Sequence, residues 1–502
     1  MVFSSIVFLC IFLPVMIIGY YVLPKKCRNI FLLLGSLFFY AWGEPVYIFL
    51  MLSSVIGNYA FGMLLYAASR REEKHGLSSA VTGETGKSAL RRLMLILAVT
   101  FNIGILVYFK YFNLLVTTIN DLFRADLTLP EIALPIGISF YTFQGLSYVI
   151  DVYRSEGRLQ ENGERESLVQ KNFINLALYI SMFPQLIAGP IVRYSDIRDS
   201  LRERTTTTED FSKGVERFIV GLAKKVLLAN TIGEAADKIF AGEIGYMGTG
   251  VAWVGALCYT LQIFYDFSGY SDMAIGLGRI FGFRFMENFN YPYISRSITE
   301  FWRRWHISLS TWFRDYLYIP LGGNRKGNVY LHLLIVFLAT GFWHGAAWGY
   351  LVWGLWHGLF MLLERIGRKK EIELKVPAVV KWLYTMLVVI FGWVLFKLEE
   401  LPDAIAYIGR MLHIGVGSYT DFGVRYYLDN RTLFFLIVAI LAAVPWAQVL
   451  PRRLACRVSQ VSLASSASVT CTVKRILLLA LLVCSMLFIV NSNYNPFIYF
   501  RF

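Results

Sequence analysis

Runs of about twenty apolar residues, separated by short charged segments, leave this chain few ways to fold. A helix needs about 20 such residues to cross the hydrocarbon of a bilayer. The candidates are Val2–Leu23, Ile30–Trp42, Tyr47–Ala68, Leu93–Val116, Ile174–Ile191, Val251–Phe264, Leu331–Phe342, Trp348–Leu363, Leu383–Phe396, Leu433–Leu450 and Ile476–Val490. Several are short, and Ile132–Ile150 is interrupted by Pro135, Gly137 and Gly145. Broken segments stand at membrane depth only where protein or a cavity shields the backbone. Composition agrees: 56% of the 502 residues are hydrophobic and 16% charged, against roughly 25% charged in a soluble protein. The fold class expected is all-α. It is a polytopic membrane protein of about 11 transmembrane helices plus re-entrant or interfacial ones.

The net charge of +14 sits in the loops, so it reads as topology and not as nucleic-acid affinity. Segments 69–92, 365–381 and 451–475 are rich in Lys and Arg and are expected in the cytoplasm. Segment 398–431 carries Glu399, Glu400, Asp403, Asp421 and Asp429 and is expected outside. Lys25, Lys26 and Arg28 follow the first run, which places the N-terminus outside. That run lacks a basic start and a small-residue cleavage site, so it reads as a retained helix. The six cysteines form no CxxC pair, and neither a disulfide framework nor a metal site is expected.

The stretch Tyr265–Trp348 carries the chemistry. Thr299 stands as a helix cap before Trp302, Trp305, Leu309 and Trp312 at helical spacing, with Arg303, Arg304 and Arg314 between them. The plainer reading is an amphipathic helix in the headgroup region. His306 departs from it, because an interface has no need of an imidazole that can shuttle protons. Pro320, Gly322 and Gly323 make a turn that presents Asn324, Arg325 and Lys326. Such donors suit an anion, although positive-inside charge alone also accounts for them. His344, in Phe342-Trp343-His344-Gly345, lies between apolar runs. An ionisable group there is costly and marks a functional position. His357 reads as structural, and His75, His332 and His413 as loop or helix-end residues. Asp266 and Asp272 flank Ser268-Gly269-Tyr270-Ser271; bracing ion pairs with Arg279 or Arg303 are their plain reading. No Walker A sequence, GxSxG elbow or HExxH site occurs.

At these residues the chain resembles the membrane-bound O-acyltransferase (MBOAT) family, in particular its alginate O-acetyltransferase, AlgI-like branch, and more distantly DltB-like proteins. The blocks are FYAWGEP (39–45), LPIGISFYTFQGLSYVIDVYR (134–154), FPQLIAGPIVRY (183–194), the whole of 265–348, and NPFIYFRF (495–502). The resemblance implies one domain over 1–502, with a catalytic core at about 134–364 and C-terminal helices at 383–502. It implies helices around a thinned central cavity, in a bacterial inner membrane. His344 and His306 would be catalytic. His344 would be general base on a hydroxyl, and His306 would orient the donor or protonate the leaving thiolate. Arg303, Arg304, Trp305, Asp315, Asn324, Arg325, Trp343, Asp266 and Tyr270 would bind substrate. The donor would be acetyl-CoA, with no bound cofactor. The acceptor would be an extracytoplasmic polysaccharide, reached through an SGNH-type partner such as an AlgJ- or AlgX-like acetyltransferase. A transporter, a flippase or an export scaffold is the alternative from another class, although no internal repeat of the transporter kind is visible.

Overall fold

The structure, a computed structural model, describes all residues except 75–88, 128–131, 157, 160–164, 370–375, 416–421, 447–466, 493 and 499–502. It is helical almost throughout. Among the described residues the only strands are the two-residue pair Arg158–Leu159 and Arg165–Glu166. Among the described residues four helices are long and apolar enough to cross a membrane, with spans Ile48–Glu72, Ala89–Phe123, Ala378–Lys397 and Thr472–Asn491. Phe8–Val22, Val329–His344 and Asn430–Ala442 are apolar but shorter. The chain divides into two compact units.

The first unit comprises 7–214 and 277–286, with Met1. Its long helices are Arg28–Gly43, Ile48–Lys74, Ala89–Phe123 and Ile138–Ser155. The interrupted run at 132–150 becomes helical only at Ile138, after Gly137 at φ +76°. A Cβ at Gly137 would lie 2.8 Å from the Leu186 carbonyl oxygen, so glycine serves both the turn and the close approach. The single span expected over Ile174–Ile191 is instead two short helices, Phe173–Ser181 and Phe183–Leu186. Pro184 has no N–H to continue the first helix and sits in the opening turn of the second. The Phe183 N–H donates to Ser36 Oγ at 3.1 Å.

The second unit comprises 2–6, 215–276 and 287–502. The helix Thr249–Ile280 runs for 32 residues, far past the Val251–Phe264 expected. It carries Asp266 and Asp272 on its inner turns. The expected helix across Thr299–Arg314 is broken in two, Ile298–Arg304 and Ile307–Phe313. Ser297, and not Thr299, caps the first, accepting from the Glu300 N–H. Val329–His344 and Trp348–Lys369 form a tight antiparallel pair. Cβ atoms at Gly341 and Gly354 would come within 2.7 Å of the Tyr350 and 2.5 Å of the Phe337 carbonyl oxygens. Small residues of this kind let two helices approach in lipid.

Candidate active site

His344 is the last residue of Val329–His344, and the chain leaves it through Gly345 in extended conformation. Its ring is 4% exposed at the residue level and is walled by aromatics. Ring centroids of Trp343, Trp353 and Phe396 lie 4.8, 5.0 and 5.0 Å away. Trp343 also lies 6.0 Å from the His306 ring, so one indole stands beside both histidines. The sequence-predicted pair is therefore brought into one neighbourhood.

His306 sits at the break between the two short helices, with φ +44° and ψ +56°. A non-glycine residue in that region is uncommon and is held there by its surroundings. The holding contacts are visible. The Asn290 N–H donates to the Arg304 carbonyl at 2.9 Å, and the Ile307 N–H to the Asn288 carbonyl at 3.0 Å. Asn288 Oδ1 lies 3.0 Å from His306 Nδ1 and accepts from Ser308 Oγ at 2.9 Å. Burial pushes the His306 imidazole down to about 3, so the ring is neutral. Sequence reasoning missed Asn288 and Ser308; they are three-dimensional neighbours of His306, and no spacing rule points to Asn288.

Beside this pair opens a cavity of about 670 Å³. Of its lining residues Arg303, Arg314, Arg368 and Lys369 are exposed and, with the half-buried Arg365, mark its mouth. Trp302, Phe337 and Thr340 are buried and, with the half-buried Met361, line its inner part. On one helix Trp353, His357, Met361, Arg365 and Arg368 recur every three or four residues, so one stripe runs from the mouth towards His344. On the other helix, Leu333, Phe337 and Thr340 do the same, and His344 follows one turn later. Arg365 Nη2 donates to Asn324 Oδ1 at 2.9 Å, and Arg368 Nη2 to Thr299 Oγ1 at 3.0 Å. In the sequence Arg365, Arg368 and Lys369 read only as topological charge. The signal that finds them is their register with His357 and Met361.

The remaining candidates separate. Arg303 and Asn324 line the cavity. Arg304 is tied to Glu300 and to the Asn290 carbonyl instead. Trp305 is buried against Phe289 and Trp393, away from the cavity wall. Asp315 pairs with Arg314 at 2.8 Å, and Arg325 is exposed and outside the lining. Tyr270 packs on Phe3 and Phe497. The two carboxylates do not use Arg279 or Arg303. Asp266 pairs with Lys225 at 2.5 Å, and Asp272 with Arg217 and Lys224 at 2.8 and 2.6 Å. Thr249–Ile280 carries both Asp266 and Asp272 past the helix containing Lys224 and Lys225, which puts those lysines nearer than either arginine. His357 lies among Trp302, Trp353 and Trp393. His332 is buried, with Nδ1 3.1 Å from the Gly323 carbonyl, and so holds the turn at 322–323. His75, and the last four residues of the NPFIYFRF block, lie outside the described residues.

Comparison with known proteins settles the family. The profile of the membrane-bound O-acyltransferase family matches residues 105–399. The chain belongs to that family. Membership makes it an integral membrane O-acyltransferase. It is 41% identical over 523 residues to the probable alginate O-acetylase AlgI of Pseudomonas putida, covering 100% of each chain. It is 33% identical to the peptidoglycan O-acetyltransferase of Helicobacter pylori, over 82% of this chain and 80% of that protein. The teichoic acid D-alanyltransferase of Bacillus subtilis is 30% identical over 52% of this chain and 68% of its own length.

Proposed function

We propose that this MBOAT protein transfers an acetyl group from cytoplasmic acetyl-CoA to an extracytoplasmic polysaccharide, through an SGNH-type partner. The observation that carries the reading is the cavity. Its mouth is basic, its inner wall is apolar, and Thr340 on that wall stands one helical turn before His344. Guanidinium groups match the phosphates of coenzyme A in charge and fork geometry. The apolar depth suits a pantetheine arm and a small acyl group. The names of the relatives, which include O-acetyl transfer to alginate and to peptidoglycan, support an acetyl group and a polysaccharide acceptor.

The reaction is acyl exchange. The acceptor oxygen attacks the thioester carbonyl while its proton passes to His344. The C–S bond breaks, an ester forms, and the coenzyme A thiolate leaves and is reprotonated. A positioned base of this kind contributes roughly 10²–10⁴-fold.

The test is transfer from radiolabelled acetyl-CoA by protein in nanodiscs, with candidate partners and glycans supplied. His344→Ala is expected to lose at least about 10²-fold in kcat while inserting and eluting like the parent. Full transfer by that variant overturns the role of His344. A wild type that consumes no thioester with every acceptor supplied overturns the reading itself.

A further inference from the structure

We infer that Asn288 is a positioning residue that holds His306 in the Nδ1–H tautomer, so that His306 offers Nε2 as a hydrogen-bond acceptor and does not protonate the leaving thiolate. The catalytic part of this inference rests on the acyl-transfer reading above; the tautomer does not.

The donors and acceptors around Asn288 fix one another in turn. The backbone N–H of Ser308 points at one side-chain amide atom of Asn288, at 3.3 Å. A backbone N–H only donates, so that atom is the oxygen. The amide nitrogen then faces the other way and donates to Ser271 Oγ at 2.9 Å. The orientation of the amide, which is ordinarily ambiguous, is thereby fixed by its neighbours. His306 Nδ1 lies 3.0 Å from that same oxygen. An amide oxygen only accepts, so Nδ1 carries the hydrogen. In a neutral imidazole the lone pair is then on Nε2.

The rest of the site keeps this arrangement in place. Asn288 is 1% exposed and His306 is 1% exposed. The Ile307 N–H donates to the Asn288 carbonyl, so backbone and side chain of one residue both grip the His306 turn. The ring of Phe267 stands edge-to-face with the imidazole at 4.6 Å. Geometry of this kind has the logic of the groups that orient active-site histidines through the ring nitrogen not used in the reaction.

A consequence for the proton follows. A neutral Nδ1–H tautomer has no second hydrogen on Nε2 to give. The proton taken from the acceptor hydroxyl therefore returns to sulfur from the imidazolium of His344, and the charge balance of the cycle closes on one histidine. The one hydrogen of the acceptor hydroxyl goes to His344, so the hydrogen bond that His306 accepts comes from an amide N–H of the donor's pantetheine arm, and it orients the donor.

The experiment has two arms. Nitrogen-15 spectra of ring-labelled histidine, in protein carrying His306 with and without the His306→Gln assignment variant, report the tautomer directly. Nδ1–H at His306 in the wild type, lost or mixed in Asn288→Ala, supports the assignment. An Nε2–H or doubly protonated ring in the wild type overturns it. In the kinetic arm Asn288→Ala is expected to lose about 10–100-fold in kcat with KM for acetyl-CoA within about twofold, and Asn288→Gln to recover part of the loss. A kcat equal to wild type in Asn288→Ala overturns the positioning role. If Asn288→Ala does not fold, the wild-type spectrum still decides the tautomer. An enzyme inert in every acceptor mixture counts against the function and leaves the spectral arm decisive for the tautomer.

Discussion

At the residue scale the buried charges carry the clearest cost. Lys225 and Asp266 have side chains 4% and 2% exposed and pair at 2.5 Å. The pair is tied further to the C-terminal segment: the Ile498 N–H donates to Asp266 Oδ2, and Lys225 Nζ to the Pro496 carbonyl. Removing one member of such a pair leaves an uncompensated charge, which typically costs about 3–5 kcal/mol. Asp266→Ala is therefore expected to lower the thermal unfolding midpoint in detergent, and Lys225→Met in that background to recover much of it. An unchanged midpoint in the single variant would show the pair to be dispensable. From sequence the carboxylates were legible as needing partners, but not with whom. Partner choice depends on which helix lies alongside Thr249–Ile280, and hydropathy does not hold that information.

At the element scale the pair Val329–His344 and Trp348–Lys369 links the cavity mouth to His344. Its closeness depends on glycine. A Cβ at Gly354 would meet the Phe337 carbonyl at 2.5 Å and the Gly341 Cα at 3.4 Å. Gly354→Val would push the helices apart, at about 1–3 kcal/mol for overpacking of this kind. The expected outcome is a lower detergent melting temperature together with a raised KM for acetyl-CoA, because Phe337 on one helix and Met361 on the other both wall the cavity. Both quantities unaltered would show that the spacing is slack. Sequence periodicity misjudged two elements nearby, for one reason. The apolar run ends at Phe264, yet the helix continues through Gly269, a contact point where a Cβ would lie 2.8 Å from the Gly221 carbonyl. Conversely, Trp302 to Trp312 reads as unbroken helix, and the break at His306 comes from backbone hydrogen bonds offered by residues 288 and 290. In both cases tertiary contact overrides local pattern.

At the scale of the whole molecule, the membrane class was legible because apolar runs and loop charge are written locally in the sequence. The basic runs also predict an orientation, in which the turn Lys25–Cys27 is expected in the cytoplasm. Cys27 in that turn is exposed. In a variant with Cys27 as its sole cysteine, a membrane-impermeant maleimide is expected to label permeabilised cells and spare intact ones. Labelling of intact cells would reverse the orientation. The cavity was not legible at this scale, since its basic mouth draws on segments as far apart as 303 and 369.

One feature of that cavity bears on timing. Its wall reaches Thr340, and His344 is a turn of helix, about 5.4 Å, further on. On the reading proposed above, a thioester lodged against Thr340 would still have that turn to travel before it met His344, so loading and transfer would be separate events.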